Sequence, residues 1–320
     1  WRIHRALKLR TIVAIALTGV FLASPVMASS VTSASVPPPT KTDRSAYIPP
    51  GLPGSRAREL DGNGSMSSEG LALLLWCMSA LADGNFRDSQ KACSRAIKLD
   101  RWNPAPYKLR GASYLFQKRF EQARVDFVAA VGLDPSDPEN HAGYAEALRG
   151  QGKYRDAIAQ FSVAIRLAPT DARMWNARCW TRGAFARELP EGLSDCNTAL
   201  RLAPGQPNIL DSRGLVYLRM GRLYDATRDF SAALRGRPNL ATALYGRGVA
   251  RLKRGDVKGA QADVLQARAA DPNVDDIFFW KTLLSQRCLT GIVSDHGWKC
   301  RLPKPPTRKF PKGARTAAVR

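Results

Sequence analysis

Apolar residues recur at helical spacings along residues 70–274, and the whole pattern repeats with a longer period. Five prolines, each ending an apolar stretch, are separated by 34, 35, 34 and 34 residues: Pro135, Pro169, Pro204, Pro238 and Pro272. A period of this length is typical of proteins built from stacked supersecondary units. The pattern therefore predicts a helical repeat.

Small residues occupy fixed places within each period. Counting back from each proline, they stand 24, 12 and 5 residues before it: Gly111, Ala145, Gly214 and Gly248; Ala123, Ala157, Gly192, Ala226 and Ala260; Ala130, Ala164, Ala199, Ala233 and Ala267. In the fourth period, removing one inserted residue near 185–188 brings Cys179 into the first of these places. Small side chains let two antiparallel helices approach closely, and the larger Phe127, Phe161, Phe230 and Val264 fill the space between them.

Glycine marks the break between the two helices of most periods, at Gly84, Gly152, Gly221 and Gly255. Glycine ends a helix in a left-handed conformation at little cost, and proline then stops the second helix. Lys118 stands at this place in the second period. Each period is thus predicted to form a helical hairpin.

This arrangement resembles the tetratricopeptide repeat, and GKYRDAIAQFSVAIRLAP at 152–169 is close to the consensus of that family. The resemblance implies an all-α fold, a right-handed superhelical solenoid of antiparallel helical hairpins. We assign six repeats, at 70–103, 104–137, 138–171, 172–206, 207–240 and 241–274. Because a stack of hairpins needs capped ends, we expect 275–300, which begins DDIFFWKTLLSQ, to form a C-terminal cap with a Cys-bounded loop.

The first 28 residues are typical of a secretory signal. Four basic residues precede and flank the apolar run Thr11–Leu22, and small residues lie three and one before a cut after Ala28. The run is shorter than the roughly 20 apolar residues that span a bilayer. We therefore expect a periplasmic or secreted protein with a cleaved signal, an uncleaved anchor being the alternative. Residues 29–69, rich in Pro, Ser and Gly, are predicted to be a disordered leader.

Six cysteines in an exported chain indicate disulfides. Cys77 and Cys93 occupy facing places in the first repeat, and Cys179 and Cys196 occupy the same places in the fourth. Cys288 and Cys300 are left to pair with each other. Two alternatives stay open, namely buried free thiols and a zinc site formed by Cys288, His296 and Cys300, although a structural zinc usually has four ligands.

The net charge of +22 favours anionic partners in general. Residues 301–320 carry seven basic and no acidic residues, and we expect a basic disordered tail there. Arg110, Arg178, Arg213 and Arg247 recur immediately before the first small place of their repeats. This ladder predicts either an ordinary solvated face or a surface that binds an anionic envelope polymer or membrane surface.

The sequence contains no phosphate-binding loop, H-E-x-x-H motif or nucleophile elbow. His141 is predicted to be a solvated surface residue. We therefore expect no catalytic, cofactor-binding or metal-binding residues, and neither a small-molecule substrate nor a nucleic acid as partner.

The resemblance implies that the first helix of each hairpin lines a groove that holds a protein or peptide partner. The residues it places there are Lys108, Glu139, Glu146, Arg149, Arg173, Asn176, Asp211 and Tyr245, with apolar residues in the first two repeats: Leu71, Leu74, Met78, Leu81, Ala112 and Leu115. Because Ala112 follows Lys108 four residues on, the carboxylate clamp of the chaperone-adaptor branch is broken. We expect an exported scaffold that assists assembly of an envelope complex.

Overall fold

The computed structural model describes residues 67–274, and this part of the chain consists of helices without strands. The helices are α1 Ser68–Ala82, α2 Phe86–Leu99, α3 Pro104–Phe116, α4 Phe120–Leu133, α5 Pro138–Gly150, α6 Tyr154–Leu167, α7 Ala172–Phe185, α8 Leu189–Leu202, α9 Pro207–Arg219, α10 Leu223–Gly236, α11 Ala241–Lys253 and α12 Val257–Ala270. The predicted all-α fold is confirmed. The predicted signal, most of the leader, the cap with Cys288 and Cys300, and the basic tail lie outside the described residues.

The chain divides into two compact units within α7, between Arg182 and Gly183. Unit 1 holds the hairpins α1/α2, α3/α4 and α5/α6 with most of α7, and unit 2 holds α8 with the hairpins α9/α10 and α11/α12. In each unit the first helices of successive hairpins also touch one another, α1 with α3 and α3 with α5, and α9 with α11. We call α1, α3, α5, α7, α9 and α11 the inner helices, and the others the outer helices.

Proline and an Asx cap begin several inner helices. Pro104 and Pro138 occupy the first turn of α3 and α5, where a missing N–H costs nothing. Asn103 Oδ1 accepts from the Ala105 N–H at 3.0 Å, and Asp137 Oδ1 accepts from the Glu139 N–H at 2.8 Å. These caps fix where the chain turns from an outer helix into the next inner helix.

The hinges between paired helices lie in the left-handed region of backbone space. Gly152 has φ of 76° and Gly221 has φ of 73°. Lys118 adopts the same conformation without being glycine, with φ of 58°. In the fourth hairpin, Ala186 and Glu188 have φ of 57° and 53°, so the inserted residue is accommodated in the link between α7 and α8.

Phe127 and Phe230 each join their own hairpin to the next one. A Cβ added to Gly111 of α3 would lie 2.9 Å from Phe127 Cε2, and one added to Gly143 of α5 would overlap the same ring. Phe230 is held in the same way between two glycines in unit 2. The ring therefore fills the space inside its own hairpin, as expected from the sequence, and also seats the following inner helix.

The predicted disulfide between Cys77 and Cys93 is present, with a Cα–Cα distance of 5.3 Å. Both residues are completely buried between α1 and α2. Cys179 and Cys196 are also disulfide-bonded, so no cysteine in the described range is a free thiol. The same range contains no cluster of His, Cys, Asp and Glu that could hold a metal ion.

Candidate ligand-binding face

Each inner helix has two faces that pack against neighbouring hairpins, and we number its positions from the first residue of its repeat. Positions 3, 6 and 10 face the preceding hairpin: Asn140 Nδ2 of α5 donates to the carbonyl of Ala130 on α4, and Ser113 Oγ of α3 donates to that of Phe86 on α2. Positions 5, 9 and 12 face the following hairpin, as Lys108 of α3 does toward Asp137. The inner surface open to a ligand lies around position 2, together with the parts of positions 5 and 9 that the following hairpin leaves uncovered, as at Leu74 and Met78 of α1.

The first inner helix leaves large apolar side chains uncovered. Leu71, at position 2 of α1, is 48% exposed. Leu74 and Met78 are partly buried against the cluster around the Cys77–Cys93 disulfide. Leu115 of α3 is also only partly buried. Leu81, which the sequence places in this groove, is instead completely buried, because it packs inward on the disulfide cluster. Unit 1 thus begins with an apolar surface patch on one face of α1, formed by Leu71, Leu74 and Met78, whereas Leu115 packs against the separate cluster around Phe127.

Charged groove residues of unit 1 are paired with one another. Lys108 Nζ donates to Asp137 Oδ2 at 2.7 Å. Arg173 donates to both Asp171 and Glu139, at 2.6 Å and 2.5 Å. These hydrogen bonds, with Asp171 the larger contributor, raise the pKa of Arg173. The cations at these positions therefore already have carboxylate partners on the array itself.

Arg149 of α5 lies over an aromatic ring of α7. Its guanidinium carbon is 4.2 Å from the centroid of the Trp180 ring, and its Nε donates to Glu146 at 2.9 Å. Close by on α7, the buried Oδ1 of Asn176 has no hydrogen-bond partner. Arg149 and Asn176 thus lie on the inner helices of unit 1, and contact of either residue with a ligand stays a prediction.

Two predicted groove residues of unit 2 are not on the surface, and this prediction is wrong. Asp211 is buried and Tyr245 is completely buried. Asp211 Oδ2 accepts a hydrogen bond from Thr242 Oγ1 at 2.7 Å, which joins α9 to α11. Burial raises the pKa of Asp211 to about 7, with the Thr242 hydrogen bond opposing the rise. Position 5 faces the following hairpin, and in unit 2 that interface is closed.

Arg110, Arg213 and Arg247 of the arginine ladder form neither a solvated face nor a free basic surface. Arg213 donates to Asp229 from Nε at 2.6 Å and from Nη2 at 3.1 Å, and Arg247 makes the equivalent pair with Asp263. Asn197, on the preceding outer helix, accepts from Arg213 Nη1 at 3.0 Å. An aspartate stands 16 residues after each of these two arginines, and this spacing is the feature of the sequence that indicates the ion pairs.

His141 is buried, contrary to its predicted surface position. Its Nδ1 lies 2.9 Å from Gln160 Oε1 and its Nε2 lies 3.1 Å from the carbonyl oxygen of Pro135. The imidazole therefore bridges α5, α6 and the preceding corner. Over residues 67–274, none of the helices combines the length and the hydropathy that crossing a bilayer requires.

Comparisons with known sequences identify repeats in both units. Sequence models of the tetratricopeptide repeat match residues 114–178 and residues 212–275. The chain is 25% identical over 148 residues to "Tetratricopeptide repeat protein 6" of Homo sapiens, covering 45% of this chain and 28% of that protein. It is 30% identical over 95 residues to the "DnaJ homolog subfamily C member 3 homolog" of Dictyostelium discoideum, covering 30% of this chain and 19% of that protein. It thus spans less than a third of either relative.

A solved structure supports the same fold. The type IV pilus biogenesis factor PilW superposes with a TM-score of 0.57 at 18% sequence identity, covering 67% of this chain and 100% of that one. At this identity the likeness establishes the arrangement of helices alone.

Proposed function

Because this chain is a tetratricopeptide-repeat protein, a fold that serves protein–protein interaction, we propose that it is an exported, non-enzymatic scaffold. Its ligand is a protein segment bound on the inner surface of unit 1. The proposed role of that binding is assembly or organisation of an envelope complex.

The observation that carries the proposal is the uncovered apolar patch at the start of unit 1. Leu71 is nearly half exposed, and Leu74 and Met78 are partly exposed on the same face of α1. Burying a fully exposed leucine contributes about 1.5–3 kcal/mol, and about half of that is available at Leu71, which is already half buried. A segment with apolar anchors at this patch would therefore gain affinity from contacting it.

The polar residues beyond the patch determine what kind of segment fits. Lys108 and Arg173 are already ion-paired, so a bare carboxylate on the ligand would have to displace Asp137 or Asp171. This pairing favours a neutral, mainly apolar segment over an acidic tail.

The Cys77–Cys93 disulfide supports export, because disulfides persist in oxidising compartments such as the periplasm or the extracellular space. The alternative, binding to an anionic envelope polymer or membrane surface, loses the arginine ladder as its binding surface. Arg213 and Arg247 already have carboxylate partners inside the array. That alternative rests on the basic tail at 301–320.

Photo-cross-linking in the exporting cell tests the proposal. A photoreactive residue in place of Leu74 should capture one reproducible protein, and Leu71→Glu should abolish that capture. Leu265→Glu is the matched control, since Leu265 of α12 is 53% exposed but lies on an outer helix. Equal capture by both variants, or no reproducible protein, would contradict the proposal. A yield that falls steeply with salt would instead support a polyanion partner.

A further inference from the structure

The first hairpin lacks the aromatic ring that fills the two hairpins after it. Phe127 and Phe161 stand at position 24 of the second and third repeats, and both are almost completely buried. Position 24 of the first repeat is Cys93, which is bonded to Cys77 at position 8. A covalent bond between α1 and α2 thus takes the place of the ring packing.

A side chain of the next hairpin fills the space that the ring would need. Phe127 of the second hairpin meets Gly143, at position 6 of the third repeat, where an added Cβ would overlap the ring. Position 6 of the second repeat is Leu109, which is buried in the same cluster as Cys77 and Cys93. The core of the first hairpin is therefore built around its disulfide.

The first hairpin also lacks the ion pair that joins α3 to α4 in the second. Arg110 Nη2 lies 2.7 Å from Asp126 Oδ1, at positions 7 and 23 of that repeat. The first repeat has Trp76 and Ala92 at these positions, and neither side chain carries a charge. Both contacts that hold α3 to α4, the ring and the ion pair, are thus replaced in the first hairpin by residues that cannot form them.

The outer helix α2 has other ties to the array. Ser113 Oγ of α3 donates to the carbonyl of Phe86 at 3.2 Å, and Arg110 Nη1 donates to Ser94 Oγ at 2.9 Å. In the described chain α1 packs on α2 and α3 alone, and Leu75, on its opposite side, is 56% exposed. Loss of the disulfide therefore affects α1 more than α2.

We propose that oxidation of Cys77 and Cys93 assembles the apolar patch, so that the protein acquires its ligand-binding surface only where disulfides form. Leu71, Leu74 and Met78 all lie on α1, and the last two pack on the disulfide cluster. Cross-linking a loop of about 15 residues favours the closed form by on the order of a hundredfold. In the reduced chain α1 separates from α2 more often by this factor, and the patch is lost. The inference rests on the proposed function, because the patch is the proposed binding surface.

The oxidation is an exchange with an external disulfide, supplied by a thiol–disulfide oxidoreductase or by oxidised glutathione. The thiolate of one cysteine attacks the external disulfide and forms a mixed disulfide, and the second cysteine then displaces the external sulfur. Two electrons and two protons pass to the external pair, which leaves as two thiols. Because Cys77 and Cys93 are completely buried in the closed hairpin, the exchange takes place while α1 is away from α2. Closure then shields the bond from reductants.

Hydrogen–deuterium exchange of the oxidised full chain tests the inference without any ligand. Cys77→Ala combined with Cys93→Ala should speed amide exchange in α1 by on the order of a hundredfold and leave exchange in α4 unchanged. Cys179→Ala combined with Cys196→Ala removes another disulfide and is the matched control, in which α1 should stay as slow as in the wild type. Equal exchange of α1 in the wild type and the first variant would overturn the proposal, and so would equal effects of the two variants.

A second measurement keeps both sulfurs in place and covers the case in which the first variant fails to fold. The Cys179→Ala, Cys196→Ala chain is refolded either with oxidised glutathione or in dithiothreitol. Exchange in α1 should be slow in the oxidised sample and fast in the reduced one, with α4 equally slow in both. Slow exchange of α1 in both samples would overturn the proposal.

Photo-cross-linking from a photoreactive residue in place of Leu74 separates this inference from the proposed function. Capture of one protein by the oxidised chain should be lost in the Cys77→Ala, Cys93→Ala variant. Equal capture by the two chains would overturn the inference and leave the proposed function standing. If the oxidised chain captures no protein, the proposed function fails, and the exchange of α1 still decides whether the disulfide assembles the patch.

Discussion

Arg110 of α3 donates hydrogen bonds to both carboxylate oxygens of Asp126 on α4, from Nε to Oδ2 at 2.8 Å and from Nη2 to Oδ1 at 2.7 Å. Its remaining nitrogen, Nη1, donates to Ser94 Oγ of α2 at 2.9 Å. One guanidinium therefore joins the two helices of its own hairpin to the preceding outer helix. Arg213 and Arg247 repeat the arrangement in unit 2, which makes it a polar clamp between successive repeats.

Removing the carboxylate of this clamp should destabilise the array. Asp126 is almost completely buried, and burial raises its pKa while the Arg110 hydrogen bonds oppose the rise. Asp126→Ala leaves Arg110 half-buried without its partner. Because removing one partner of a buried pair costs about 3–5 kcal/mol and Arg110 is partly solvated, we expect a loss of about 2–3 kcal/mol in the free energy of unfolding.

Urea denaturation monitored by circular dichroism measures this loss. Glu121→Ala removes the exposed partner of Arg124 and Gln151 and serves as the control, with a loss of no more than about 1 kcal/mol expected. If the two variants had equal effects, the clamp would contribute no more than an ordinary surface ion pair.

The sequence predicts the helices and their close contacts because these depend on steric size. Gly111 and Phe127 recur at fixed spacings, and only a small residue fits where a ring crosses a helix. The arginine ladder shows the limit of such reasoning. A periodic arginine is equally compatible with a solvated face, a polyanion surface and an internal clamp, and only the position of Asp126 relative to Arg110 decides among them.

The candidate groove was harder to predict for a related reason. Leu74 and Asp211 both occupy position 5 of their inner helices, yet Leu74 is partly exposed and Asp211 is buried. Repeats of the same pattern differ in what packs against them. The environment of Asp211 depends on Thr242, which lies in the next repeat.

The space between Phe127 and α5 should not tolerate one added carbon. In Gly143→Ala the new Cβ overlaps the Phe127 ring, which is itself buried against Gly111. Overpacking of this kind costs about 1–3 kcal/mol of the free energy of unfolding, measured by urea denaturation. The control is Gly132→Ala on the exposed side of α4, where alanine should stabilise by about 1 kcal/mol through its helix propensity. Stabilisation by both changes would mean that this contact is not tight.

The hinge of the second hairpin should be improved by glycine. Lys118 is held at φ of 58°, a conformation that costs a non-glycine residue about 1–2 kcal/mol. Glycine removes this cost, but its greater entropy in the unfolded chain offsets part of the gain, so we expect Lys118→Gly to stabilise by about 0.5–1 kcal/mol in thermal or urea unfolding. Gln117→Gly, at φ of −87°, should destabilise instead. A loss of stability in Lys118→Gly would show that the lysine side chain contributes more than its backbone costs.

Asp211 should make the stability of unit 2 depend on pH. Its pKa of about 7 in the folded protein lies above the ordinary 3.8, so the folded state binds the proton more tightly. The free energy of unfolding should therefore fall as pH rises from about 4 to about 7. Asp211→Asn keeps an acceptor for Thr242 and removes the ionisation. The difference in the free energy of unfolding between this variant and the wild type should favour the variant more at pH 7.5 than at pH 4.5. If the two proteins had the same pH dependence, Asp211 would not be its cause.

Hydrogen–deuterium exchange tests most directly whether the inner surface of unit 1 is the binding surface. It is measured on the full chain with and without the partner captured through Leu74. Bound partner should slow exchange in α1 and α3, and the effect should vanish in Leu71→Glu but persist in Leu265→Glu. Slowing confined to the outer helices α2 and α4, or no slowing in unit 1, would contradict the proposed scaffold.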